Sequence, residues 1–141
     1  MRKNGEDILV HYILMEKVEG VMLFDFFLSD LEINNYSPMQ DRYIRNIFIK
    51  VCSALHKLHS AGIAHRDIKP ENIMITNELK IKIIDLGHGK HLIGTDGTSL
   101  MTTYVGTSIY IAPEIHAQKP YEGLKIDIFS MGVMFLALRT M

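Results

Sequence analysis

Asp67, Lys69 and Asn72 stand close together in the stretch HRDIKPEN, His65 to Asn72. An aspartate can accept a proton from a hydroxyl. A lysine two residues on supplies a positive point charge for a phosphate oxygen. An asparagine carbonyl is a hard oxygen ligand that suits Mg²⁺. Asp85, which ends an alternating run just before Gly87, offers a second ligand of that kind. A base, a phosphate-binding cation and metal-binding oxygens together suit phosphoryl transfer, in which positioning and charge neutralisation dominate.

Such a set works only if its members are brought together. Ile44, Ile47, Phe48, Val51, Leu55 and Leu58 recur at steps of three and four, so the segment before the motif reads as an amphipathic helix. Gly62 follows it as a stop signal. Ile73 to Thr76 reads as a short strand. Glu78 to Asp85 (ELKIKIID) alternates and reads as a second, and the two make a hairpin through Asn77. That hairpin would carry Asn72 and Asp85 to neighbouring positions.

Upstream, Ile8 to Glu16 (ILVHYILME) reads as a strand broken by Gly20, Met22 to Ser29 as a short apolar helix, and Ile33 to Pro38 as a turn. Downstream, Leu86 to about Pro113 is rich in glycine and threonine and reads as a long irregular loop. The chain closes on an apolar helix from about Leu124. Its core, Ile126 to Leu138, is too short to span a bilayer and contains Asp127, so it reads as a buried helix.

The 141 residues are 48% hydrophobic and 22% charged, the profile of one folded unit rather than a disordered tail. A formal net charge of -1 gives no overall attraction to nucleic acid or membrane. Cys52 is the single cysteine, so no internal disulfide forms, and it reads as a buried core thiol. The polar opening MRKNGED carries no apolar targeting stretch. Together these predict a reducing, intracellular location, cytoplasmic or nuclear. His56 and His59 read as the polar face of the amphipathic helix rather than a metal pair. Met131, Met134 and Met141 read as core packing.

HRDIKPEN, DLG at Asp85 to Gly87 and APE at Ala112 to Glu114 follow one another in the order of the catalytic-loop, metal-binding and APE motifs of eukaryotic protein kinases. The sequence resembles that family, and its serine/threonine branch through Lys69. The resemblance implies an α+β, protein-kinase-like fold, truncated, mainly the helical C-lobe with a remnant N-lobe strand. Residues of about 8–21 would be the last N-lobe strand and hinge, and 22–141 an incomplete C-lobe.

The resemblance also implies roles. Asp67 would be the catalytic base and Lys69 would steady the transferring phosphate of ATP. Asn72 and Asp85 would hold Mg²⁺. Backbone groups of Glu16 and Val18 would face adenine over Met74, with Met15 as gatekeeper. His65 and Leu86 would pack beneath the site, and Glu71 would contact a basic substrate residue. Thr103 resembles the activation-loop phosphosite, whose phosphate would pair with Arg66. Thr107 would bond toward Asp67 and Lys69, and Asp127 would hold the catalytic-loop backbone. Met22 stands where the family carries a glutamate after the hinge.

The sequence contains no G-x-G-x-x-G loop, no V-A-I-K lysine and no helix glutamate before the hinge, nor the arginine that would pair with Glu114. Weak nucleotide binding and slow turnover are therefore expected of this chain alone. Two functions remain: a serine/threonine kinase acting on a protein hydroxyl, or a kinase-like module that binds partners through its helical lobe.

Overall fold

A computed structural model describes residues 2–3, 6–7, 12–34, 40–94 and 97–140. β1 (Arg2–Lys3) and β2 (Glu6–Asp7) form a short antiparallel pair. β3 (Gly20–Met22) leads directly into α1 (Leu23–Ile33), and α2 (Asp41–Ser60) follows. Then come β4 (Ile63–Ala64), β5 (Ile73–Thr76), β6 (Ile81–Ile83), β7 (Lys90–His91) and β8 (Leu100–Met101). α3 (Pro113–His116), β9 (Tyr121–Glu122) and α4 (Gly123–Thr140) close the chain.

α2 forms where the periodicity predicts. Ile44, Val51 and Leu55 face inward, and Asp41 in the first turn with Lys57 and His59 in the last complement the helix dipole. α4 is buried on several sides through Ile126, Asp127, Ser130, Met131, Met134, Phe135 and Leu138. No helix among the described residues is long and apolar enough to cross a membrane. The two helices meet at Phe48 and Phe135, whose rings pack edge to face with centroids 4.5 Å apart. Leu23, Phe27, Ile68 and Ile73 join them in the main core, and a second cluster holds Ala64, Met101, Ile115, Tyr121 and Ile126.

β3, β5 and β6 make one antiparallel sheet in that order. The predicted hairpin is present, with Ile73 opposite Ile83 and Ile75 opposite Ile81. Ile73 and Ile75 turn into the core while Met74 and Thr76 lie half-buried on the other face. The second strand is shorter than its alternation suggested, since only Ile81–Ile83 are paired.

Two expectations fail. Of the strand expected over Ile8 to Glu16, residues 8–11 lie outside the described residues. Residues 12–19 carry no regular structure, with Tyr12, Ile13, Leu14 and Met15 all at least 76% exposed. A strand needs a ladder partner, and β5 meets the chain only at Gly20, Val21 and Met22. Gly20, read as a strand breaker, instead opens the strand. A Cβ there would collide with the Ile75 carbonyl, so only glycine permits the close approach. Likewise, the long stretch after Leu86 is not wholly irregular. It contributes β7 to a pair with β4 and β8 to a pair with β9. Each strand has two residues, too few for an alternation to show. The turn expected at Ile33 to Pro38 is described only as far as Asn34, and Met141 lies outside the described residues.

Leu55, 1% exposed, fills the main core, whereas Ile49 on the same helix is 58% exposed. Leu55→Ala should cost about 2–5 kcal/mol in urea unfolding. Ile49→Ala should change stability by no more than about 0.5 kcal/mol.

Candidate active site

The HRDIKPEN segment crosses from β4 to β5, and a buried carboxylate on α4 shapes it. Asp127 is 1% exposed. Its Oδ2 accepts from the backbone N–H of His65 at 2.8 Å, and its Oδ1 from that of Arg66 at 2.7 Å. His59 Nε2, at the end of α2, adds a third contact to Oδ2 at 2.8 Å. The sequence reading put His59 on the polar surface of its helix. The structure half-buries it against α4 instead, on the side of the last turn of α2 that meets Asp127, while Lys57 and Ser60 of that turn stay exposed. His56, by contrast, is exposed.

Between these anchors Arg66 adopts φ +67°, a left-handed conformation that side chains rarely take. The two backbone bonds donated to Asp127 offset that strain. His65 is fully buried: its Nδ1 accepts from the Asp67 N–H at 3.3 Å, and its Nε2 then donates to the Ile84 carbonyl at 2.9 Å. The imidazole thereby joins the loop to the end of β6.

Asp67, 6% exposed, is fully engaged. Its Oδ1 accepts from the Thr107 hydroxyl at 2.8 Å. Its Oδ2 lies 2.9 Å from Lys69 Nζ and accepts from Asn72 Nδ2 at 3.0 Å. Lys69 Nζ also donates to Thr107 Oγ1 at 2.8 Å, closing a triangle of base, cation and hydroxyl. Burial alone would raise the Asp67 carboxyl. The hydrogen bonds from Lys69 and Thr107, the Lys69 charge and the Asn72 bond outweigh it and hold the group below its ordinary value of 3.8.

Asn72 also donates from Nδ2 to the Asp67 carbonyl at 2.8 Å. Both partners are acceptors, so the amide nitrogen must face them and the carbonyl oxygen must face away. The hairpin brings Asp85 alongside, for the Ile84 N–H donates to the Asn72 carbonyl at 2.9 Å. Asp85 is left-handed at φ +60° and caps the turn that follows, its Oδ1 accepting from the Gly87 N–H at 3.0 Å. Its Oδ2 keeps no partner among the described residues. Two hard oxygens, from Asn72 and Asp85, thus stand on adjacent strand ends and fit a divalent cation of the Mg²⁺ type.

Other positions fall differently. Leu86 does not pack beneath the site. It is 50% exposed on the rim of a cavity of about 800 Å³ between α2 and the β5–β6 hairpin. Asp67, Lys69, Asn72 and Asp85 do not line that cavity. About half of its surface is covered, and it lines that cavity together with Leu58, Ile81 and Ile83. Met74 is half-buried opposite Met22. Glu16 is exposed and pairs with Lys82 at 2.9 Å, and Val18 is partly buried beyond it. Glu71 is exposed, and its charge adds to burial in pushing the Tyr110 phenol up. Glu114 is half-buried and makes no ion pair among the described residues. Cys52 is only half-buried, 3.7 Å from Met131 Sδ, and burial raises its thiol. Thr103 is exposed beside Arg66 and Tyr121. No cluster of metal-ligating side chains of the three-residue His/Cys/Asp/Glu kind occurs among the described residues.

Gly106 brings the Thr107 segment home. It has φ +108°, and a Cβ there would lie 2.9 Å from the Arg66 carbonyl, so glycine lets the segment lie against the loop.

The family profile for the protein kinase domain matches residues 6–141. Sperm motility kinase 2B of Mus musculus is 36% identical over 129 residues, which cover 92% of this chain and 25% of that protein. A probable serine/threonine-protein kinase of Corynebacterium efficiens is 40% identical over 140 residues, covering 97% of this chain and 20% of that protein. The probable serine/threonine-protein kinase PknB of Corynebacterium glutamicum is 39% identical over 134 residues, covering 93% and 19%. The chain thus spans a quarter or less of the length of these relatives.

Asp127→Ala would leave two backbone N–H groups of the loop without an acceptor. It should cost about 3–5 kcal/mol by urea unfolding, and Asp127→Asn, which keeps one acceptor oxygen, clearly less. The lowered Asp67 carboxyl contributes stability that is fully present above about pH 4 and lost as pH falls through its folded value. Asp67→Asn should therefore flatten the stability profile below about pH 4, read from urea midpoints at several pH values.

Proposed function

The chain belongs to the protein kinase domain family, and from that premise we propose that it carries the phosphotransfer machinery of a serine/threonine protein kinase, moving the γ-phosphate of ATP to a protein hydroxyl. One observation supports this above the others: the closed triangle of Asp67, Lys69 and Thr107. The Thr107 hydroxyl donates to the carboxylate while accepting from the lysine. A substrate serine or threonine would need the same two partners.

In the proposed reaction the acceptor hydroxyl displaces Thr107 from Asp67 Oδ1 and is oriented there. Its oxygen attacks the γ-phosphorus, its proton passes to Asp67, and the bond from that phosphorus to the β–γ bridging oxygen breaks to release ADP. Lys69 neutralises charge on the transferring phosphoryl group. Asn72 and Asp85 would hold Mg²⁺, which would supply charge neutralisation during the transfer. Backbone groups of Glu16 and Val18 would face the adenine, with Met74 beneath it. Glu71, exposed within the loop, would meet a basic residue of the protein substrate.

A second reading, a partner-binding module, is favoured by the row Tyr12, Ile13, Leu14 and Met15, all strongly exposed. Purified protein with Mg·ATP carrying a labelled γ-phosphate and a basic serine-containing peptide separates the two. The kinase reading expects slow, Mg²⁺-dependent transfer that Asp67→Asn reduces to background. Transfer at background in both proteins would hand the argument to the binding module.

A further inference from the structure

Tyr121 has no place in the chemistry above, yet it sits where three segments meet. It is 3% exposed at the start of β9, opposite Met101 of β8. Its hydroxyl donates to the Thr103 carbonyl at 2.7 Å and accepts from Arg66 Nη1 at 3.3 Å. Arg66 Nε in turn donates to the His88 carbonyl at 2.6 Å. One guanidinium and one phenol therefore join the loop, the turn after Asp85 and the stretch before Thr107. A buried phenol hydroxyl requires partners, and these two lie on the same two segments that the bonds of Thr107 to Asp67 and Lys69 join a few residues further on.

We propose that Tyr121 is a positioning residue whose hydroxyl holds residues 102–107 onto Arg66, and so keeps Thr107 on Asp67 and Lys69. The bond goes to the Thr103 carbonyl, not to its side chain, so it is indifferent to modification of that hydroxyl. It also uses the same arginine that a phosphate would recruit. The segment is thus held by one neutral hydrogen bond, from the phenol to the Thr103 carbonyl, and that phenol is itself held by a charge-assisted bond from the Arg66 guanidinium. The consequence for catalysis rests on the function proposed above, but the tie itself does not.

Native-state chymotrypsin cleavage after Tyr104, which is 54% exposed within that segment, tests the tie. Tyr121→Phe removes only the hydroxyl. Cleavage after Tyr104 should become about two- to tenfold faster, the value of one net hydrogen bond, while cleavage after Phe48 in α2 keeps its rate. Solvent exchange of the Arg66 Nε–H, followed by NMR, should quicken in the same variant. Thr103→Val, which keeps the carbonyl, should leave both readouts unchanged.

Unchanged cleavage and exchange in Tyr121→Phe would overturn the proposal. So would equal acceleration after Phe48, which would make the phenol ordinary core, or a Thr103→Val effect as large as that of Tyr121→Phe. Should Tyr121→Phe fail to fold, Arg66→Lys keeps the charge but loses the Nη1 arm. It should speed cleavage after Tyr104, and no change there would again sink the idea. None of these readouts needs phosphotransfer, so an inactive protein would refute the proposed function and leave this inference standing.

Discussion

The site depends on one buried carboxylate. Asp127 accepts two consecutive backbone N–H groups, from His65 and Arg66, and one imidazole nitrogen, from His59. A carboxylate at 1% exposure is tolerable only when its lone pairs are this well used. What the arrangement stabilises is a loop conformation with an intrinsic cost, since Arg66 is left-handed. Asp67 follows directly on that turn. The orientation of the proposed base is therefore set by a side chain on another helix rather than by the loop's own preferences.

Around that anchor the polar groups form a continuous set. His65 links the loop to the end of β6, Asn72 links Asp67 to the hairpin, and Lys69 and Thr107 close the opposite side. Each member is bonded in the direction its chemistry requires. Such a network is stiff, which suits a reaction whose barrier is lowered by positioning more than by covalent participation.

Much of this was legible in the chain, for identifiable reasons. α2 and the β5–β6 hairpin follow local periodicity, and the hairpin alone predicts that Asn72 and Asp85 are neighbours. The motif His65 to Asn72 was visible from residue chemistry and spacing. His59 was not: nothing local distinguishes it from His56, and only the packing of α2 on α4 decides which of them meets a carboxylate. The two-residue strands were invisible because a ladder that short leaves no pattern. The row Tyr12 to Met15 misled because an apolar, β-rich run implies a strand, and β5 pairs with the chain only from Gly20 to Met22. The packing of Leu86 beneath the site is implied by the family resemblance, and the residue is half exposed. Tyr121 carried no signal at all, as a tyrosine beside a turn has many uses.

The distance along the chain between the loop and its anchor has a bearing on biosynthesis. Asp127 lies 62 residues after His65. At ribosomal rates of about 5–20 residues per second, HRDIKPEN emerges about 3–12 s before the carboxylate that shapes it. During that interval Arg66 has no reason to turn left-handed, and the nascent segment is free to sample other backbone shapes. Assembly of the loop then waits on the arrival and docking of α4.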